Sequence, residues 1–256
     1  MPLITSISAF KDNYIWLIIE SSLLVWIVDP GDATLVIEYF KKNPLLKPAG
    51  ILLTHHHKDH SGGVEEVYKC FNIPVIASYR SKIKATTLRV KDKDVFELPQ
   101  SSLTVTIFET PGHTLDHITF IIEDAIFCGD TLFTAGCGRI FEGDPEMMWR
   151  SLQKIANLKE DMHVYCGHEY TEANLRFALA VEPNNPRLQR RYEEVKALRR
   201  QNLSTVPEFL EIEKTTNPFL RVETTTVKQS VEKWRQRSME SPVEVFTALR
   251  EWKNHF

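Results

Sequence analysis

Residues 54–60 read Thr-His-His-His-Lys-Asp-His, and this segment alone carries four of the chain's nine histidines. A neutral imidazole offers a metal a lone pair near pH 7, and Asp59 adds a hard anionic oxygen. The short apolar run Ile51–Leu53 reads as a buried strand ending at the cluster, and Gly62–Gly63 read as a tight turn into a helix. A sharp loop after a strand sends alternate side chains to one side. His55 and His57 are therefore expected to share one metal, Asp59 and His60 to face a second, and His56 to face away. Zinc takes about four ligands, one of them water at a catalytic site. Four residues cannot complete two such centres, so further ligands must come from elsewhere in the chain.

Three candidates lie at loop positions just after apolar runs, each directly preceded by glycine: His113 in Thr110–Thr114, Asp130 in Cys128–Thr131 and His168 in Cys166–Glu169. Glycine there lets the backbone bend and approach a crowded centre. Counting then divides the ligands: His55, His57 and His113 for one metal, Asp59, His60 and His168 for the other, and Asp130 bridging both. Paired metals about 3.5–4 Å apart can share a hydroxide, and metal binding brings the pKa of water to about 7. Asp59 and Asp130 are accordingly the expected catalytic carboxylates. Zinc is the expected metal, with iron and manganese suited to the same donors. Asp29 is a candidate for orienting a ligand imidazole from behind, and Cys137 lies close enough in sequence to be another supporting group. His117 receives no role, and His163 and His255 read as ordinary. A surface histidine run with incidental metal affinity would not explain the glycine-preceded residues.

Strand-like runs occur at 15–19, 23–28, 51–53, 75–77, 103–108, 118–122 and 125–128. Asp144-Pro145 reads as a helix start with an N-cap acceptor and proline in the first turn, opening a helix to about residue 158. The character changes after His168. Asn185-Pro186 opens a helical pattern with Leu188, Tyr192, Val195 and Leu198 at helical spacing, and 207–214 and 242–252 read as further helices. The expected organisation is thus a strand-rich catalytic part over 1–168 and a helical part over 169–256 that packs onto it. The second part holds 15 Lys and Arg against 13 Asp and Glu, and the first 16 against 21. That split suits a metal site facing an anionic ligand. The net charge of −3 gives no footprint for nucleic acid. No stretch approaches the roughly 20 apolar residues of a membrane span, and MPLITSISAFKDNY lacks the pattern of a signal peptide. The four cysteines match neither a CxxC zinc pattern nor a disulfide framework, which points to reduced thiols in the cytoplasm.

Together these residues resemble the metallo-β-lactamase superfamily: THHHKDH, the PGHT segment at 111–114, GDTLF at 129–133 and GHEYT at 167–171 look like its successive metal motifs. CGDTLFTAGCGRIFEG (128–143), GHEYTEANLRFA (167–178), NPFLR (217–221) and LREWK (249–253) resemble one family within it, the glyoxalase II or hydroxyacylglutathione hydrolase family. The resemblance spans essentially the whole chain. It implies an α/β (α+β) fold, an αββα sandwich followed by an all-helical domain that helps form the substrate site, in a monomer. It implies hydrolysis of S-D-lactoylglutathione to glutathione and D-lactate, the second step of methylglyoxal detoxification. It carries the family's metal ligands onto the seven residues already assigned, and its substrate-binding residues onto Arg139, Tyr170, Arg250 and Lys253. The chemistry agrees, since glutathione has two carboxylates for arginine and lysine, and Arg250 and Lys253, three apart, share one helix face. Arg139 stands where lysine is common in the family, and Phe141 where some members have tyrosine. A persulfide dioxygenase of the same superfamily, with one iron, is the competing expectation. His60, His168 and the long helical extension weigh against it.

Overall fold

The computed structural model describes residues 2–256. Six strands form the first sheet in chain order: β1 (Leu3–Ala9), β2 (Asn13–Ile19), β3 (Leu24–Val28), β4 (Lys47–Leu53), β5 (Val75–Ser78) and β6 (Leu88–Val90). The pairings β1–β2 and β2–β3 are antiparallel, and those from β3 to β6 are parallel. The second sheet contains β7 (Val95–Glu97), β8 (Thr104–Glu109), β9 (Ile118–Ile122) and β10 (Ala125–Gly129). Its remaining strands are β13 (His163–Cys166), parallel to β10, and the outer β14 (Glu208–Phe209). A two-stranded ribbon, β11 (Leu132–Phe133) with β12 (Gly136–Cys137), projects from the end of β10.

Side-chain alternation along β2 sets the layers. Tyr14, Trp16 and Ile18 join Trp26, Val28 and Leu52 against Val105, Ile107 and Phe120 of the second sheet. Ile15 and Leu17 point the other way, with Val25, Ile27 and Ile51, onto α1 (Ala33–Lys42) and α3 (Val64–Phe71). A strand covered on both faces reads as a continuous apolar run, as NYIWLII does. Between these helices in sequence lies the one-turn α2 (Lys58–Ser61), inside the histidine segment. On the far side, α4 (Pro145–Ala156) contributes Met148, Leu152 and Ile155 to the same cluster as the second sheet. The chain continues with α5 (Thr171–Val181), α6 (Pro186–Arg200), α7 (Leu210–Thr216), α8 (Thr225–Arg235) and α9 (Pro242–His255); Phe177, Leu210, Val231, Phe246 and Leu249 join that cluster, while Leu188 and Val195 of α6 pack in a separate one with Leu175. The layers are α, β, β, α, with the later helices on the second sheet.

The helix starts at Asp144 and Asn185 form as the sequence indicates: Asp144 accepts from Met147 N, and Asn185 from Arg187 N and Leu188 N. Other expectations change. The helix placed over 207–214 begins only at Leu210, because Glu208–Phe209 pair with His163–Val164 and extend the second sheet. The mostly helical segment therefore supplies one strand. Leu23 is not in β3; it sits at φ 66 in the turn before it. β1 has no apolar run to announce it, since Thr5, Ser6 and Ser8 interrupt it. Gly62 and Gly63 do not make a left-handed turn, with φ −60 and −92. They are needed for space: a Cβ on Gly63 would lie 2.4 Å from Ala33 N and 2.6 Å from Pro30 O.

Candidate metal centre and the cleft beside it

The C-terminal ends of β3, β4, β8, β10 and β13 converge at one edge of the sandwich, and each delivers a polar residue there: Asp29, His55, His113, Asp130 and His168. Gly129 adopts φ 46, and a Cβ on it would stand 2.5 Å from Thr54 Oγ1. A Cβ on Gly167 would stand 2.6 Å from both Asp130 Oδ1 and His60 Cε1. These glycines allow two backbones to pass a centre crowded with imidazoles.

The convergence forms two groups. Ligand atoms of His55, His57 and His113 lie within 4.8 Å of one another, as do those of Asp59, His60 and His168. Asp130 lies between them: Oδ1 is 3.3 Å from His60 Nε2, and Oδ2 is 3.4 Å from both His113 Nε2 and His168 Nε2. Two buried atoms aimed into the centre, His55 Nε2 and Asp130 Oδ1, have no hydrogen-bond partner. Leaving such atoms unpaired costs about 1–3 kcal/mol each. A donor set of imidazole nitrogens and carboxylate oxygens suits a divalent cation, and these residues fit one.

Behind these candidate ligands, most outward ring nitrogens are held. His60 Nδ1 is 2.9 Å from Asp29 Oδ2, and Asp29 also accepts from Thr54 N and Thr54 Oγ1. His113 Nδ1 donates to Arg139 O at 2.7 Å, and His55 Nδ1 is 3.0 Å from Thr54 Oγ1. His168 Nδ1 is 2.8 Å from Asp12 Oδ1, and Asn13 Nδ2 donates to Asp59 Oδ2 at 2.9 Å. The sequence alone assigns no role to Asp12, Asn13 or Thr54. The signal that could have found them is chemical: a metal-bound imidazole needs an acceptor for its second nitrogen. His117, to which the sequence assigns no role, also supports the centre. It is buried, stacks on His55 at 4.9 Å, and its Nε2 accepts from Asp130 N at 3.1 Å. His56 faces away from both groups, toward Asp116 and Glu142.

Burial pushes the protonation of His55, His57 and His113 down, leaving neutral imidazoles. His60 and His168 go the other way: burial opposes their charge, but Asp130 and the carboxylates beside them overcome it, lifting His168 to about 10. Asp130 is buried too, yet His60 and His168 hold it well below the usual carboxylate range. A cation entering the second group must therefore displace protons. Burial pushes the Cys137 thiol up and Cys166 to about 12, so neither is a ready nucleophile.

A cleft of about 580 Å³ opens on these groups and is lined by Arg139, Phe141, Tyr170, Arg250 and Lys253 as well as by His57, Asp59, His113, Asp130 and His168. Tyr170 stacks on His168, ring centroids 4.6 Å apart and planes at 9°. Arg250 is 8% exposed; its Nη1 donates to Cys137 O at 2.8 Å, while its buried Nε has no partner. Lys253, on the same face of α9, is half-buried, and burial with the nearby Arg250 and Arg176 brings it down to about 8. All four residues carried over as substrate-binding thus meet in one cleft beside the metal groups. A larger cavity, about 650 Å³ between α5, α6 and α8, contains none of them.

Residues 12–168 match the family model described as "Metallo-beta-lactamase superfamily", and residues 169–256 match "Hydroxyacylglutathione hydrolase C-terminus". The hydroxyacylglutathione hydrolase of Aliivibrio fischeri is 49% identical over 254 residues, covering 99% of each chain. That of Nitrosomonas europaea is 44% identical over 250 residues, 98% of this chain and 95% of the relative. Among solved structures, ETHE1 from Myxococcus xanthus superposes with a TM-score of 0.66 at 19% identity, covering 98% of each chain; at that identity the likeness concerns the fold.

Proposed function

Because this chain belongs to the hydroxyacylglutathione hydrolases of the metallo-β-lactamase superfamily, we propose that its metal centre holds two divalent cations and cleaves S-D-lactoylglutathione to glutathione and D-lactate. Membership makes it a metal-dependent hydrolase. In the finer reading, His55, His57 and His113 hold one cation, Asp59, His60 and His168 the other, and Asp130 both. The observation that carries it is the position of Asp130, within 3.4 Å of ligand atoms from each group and open to a cleft lined with cations. Zinc suits these donors, with iron and manganese as competitors.

When bound, the cations would polarise the thioester carbonyl and supply a water acidic enough to attack at neutral pH. The residues do the rest. Arg139, Arg250 and Lys253 attract the glutathione carboxylates, and Tyr170 and Phe141 wall the cleft. Asp29, Asp12 and Thr54 fix the imidazoles so that their inner nitrogens converge. The leaving thiol, with a pKa of about 8.5 for a cysteine, needs little assistance. No protein nucleophile is required, since the cleft's thiol, Cys137, is protonated and bound to Arg250.

The division of labour follows the chain: 1–168 supplies the metal ligands and Arg139, and 169–256 supplies Tyr170, Arg250 and Lys253. No helix among the described residues is long and apolar enough to cross a membrane. Four free cysteines support a cytoplasmic location, and the family resemblance supports a monomer. Release of glutathione from S-D-lactoylglutathione, read with a thiol reagent, tests the reading. Metal-loaded protein that leaves the thioester intact but takes up oxygen with glutathione persulfide would favour the dioxygenase instead.

A further inference from the structure

His56 turns its ring away from the metal groups, but it is not idle. Its Nδ1 lies 2.8 Å from Asp116 Oδ1 and its Nε2 3.3 Å from Glu142 Oε1. Asp116 is 7% exposed and also accepts from Thr114 Oγ1 at 2.8 Å. Glu142 follows Phe141 on the segment 139–143, which forms the lip of the cleft, and its Oε2 accepts from Leu115 N at 2.8 Å. The same lip is tied to the 112–115 loop by His113 Nδ1 to Arg139 O (2.7 Å), Phe141 N to His113 O (3.2 Å) and Gly143 N to Gly112 O (3.1 Å).

The backbone at His56 is held in place. Its neighbours His55 and His57 point into the centre, and Ser61 Oγ donates to its carbonyl at 2.8 Å. Its ring therefore stands between two carboxylates, that of the buried Asp116 and that of the partly exposed Glu142 on the lip. Remove the ring and Asp116 faces Glu142 with no donor between them. Like charges in a partly desolvated site repel, and the more exposed Glu142 is the one displaced, straining its bond to Leu115 N and the lip that carries Phe141 and Arg139. We infer that His56 is a positioning residue: it clamps the lip to the metal loop and so sets how far Arg139 and Phe141 stand from the reacting centre. The inference rests on the reading that this lip contacts the glutathione part of the substrate.

The test compares metal-loaded wild type, His56→Ala, His56→Gln and the double variant His56→Ala/Glu142→Gln. Three quantities are read: metal per chain, the Kd of S-hexylglutathione by calorimetry, and KM and kcat with S-D-lactoylglutathione. His56→Ala should raise Kd and KM together by about 10-fold, roughly the loss of one charged contact, with kcat within about twofold and metal content unchanged. Adding Glu142→Gln removes the repulsion and should bring Kd back to within about threefold of wild type, and His56→Gln, which keeps a donor, should fall between. A purely structural role would lower metal content and kcat, and Glu142→Gln would not relieve it. An unchanged Kd and KM in His56→Ala, or a loss that Glu142→Gln leaves in place, overturns the inference alone. Should His56→Ala not fold, His56→Gln decides by the same Kd. Wild-type protein that binds no S-hexylglutathione overturns the substrate reading and this inference with it.

Discussion

Asp12 Oδ1 lies 2.8 Å from His168 Nδ1, joining residues 156 positions apart in the sequence. The bond crosses between the turn after β1 and the loop after β13. It holds His168 with Nε2 directed at Asp130 and Asp59. Loss of a group in this position typically weakens metal affinity about 10–100-fold. Asp12→Ala should therefore lose metal from the Asp59–His60–His168 group at chelator concentrations the wild type withstands. Competition with a metallochromic chelator measures it, and equal retention by both proteins would contradict the orienting role.

Asp130 presents one carboxylate to both groups. Asp130→Ala should lower kcat on the order of 100-fold or more, because the one carboxylate placed to serve both groups is lost, and should reduce bound metal. Metal analysis beside steady-state kinetics gives the answer, and near wild-type turnover at full metal content would rule out the bridging assignment.

Burial, with Arg250 and Arg176 nearby, brings the Lys253 ammonium down to about 8. Below that pH its ammonium can attract a substrate carboxylate, and above it the amine is neutral. The expected profile is a fall in kcat/KM as pH rises through about 8, with kcat itself little affected, since kcat/KM reports groups of the free enzyme. In Lys253→Arg, whose guanidinium stays charged, the fall should disappear. A fall of the same size in that variant would assign it to another group.

Glu213 is fully buried, paired with Arg191, and accepts from Ala135 N and Asn217 Nδ2. Through Ala135 it ties α7 to the ribbon of β11 and β12, which carries Cys137 at the cleft wall. Removing one partner of a buried ion pair costs about 3–5 kcal/mol. Glu213→Leu should lower unfolding stability by that order in a denaturant titration; a change within about 0.5 kcal/mol, as for an ordinary surface site, would show the pair to be dispensable.

Much of the centre was legible because metal chemistry concentrates rare residue types. Four histidines in seven positions, and a glycine before each of His113, Asp130 and His168, left few other readings. The doubly covered strands were legible from continuous apolar runs such as NYIWLII. What stayed hidden depends on partners distant in sequence. β14 is a strand only because Glu208–Phe209 lie beside β13. β1 is an edge strand whose polar residues break any pattern. Asp12 and Asn13 resemble any turn until the fold sets them against His168 and Asp59. His56 looked like the spare histidine of its run because its partners, Asp116 and Glu142, come from two later loops.

Two-cation thioester hydrolysis is tested most directly by measuring bound metal and S-D-lactoylglutathione hydrolysis on the same samples as metal is returned to stripped protein. The rate should rise with occupancy and level off at two cations per chain. Full activity with one cation per chain, or with none, would contradict it.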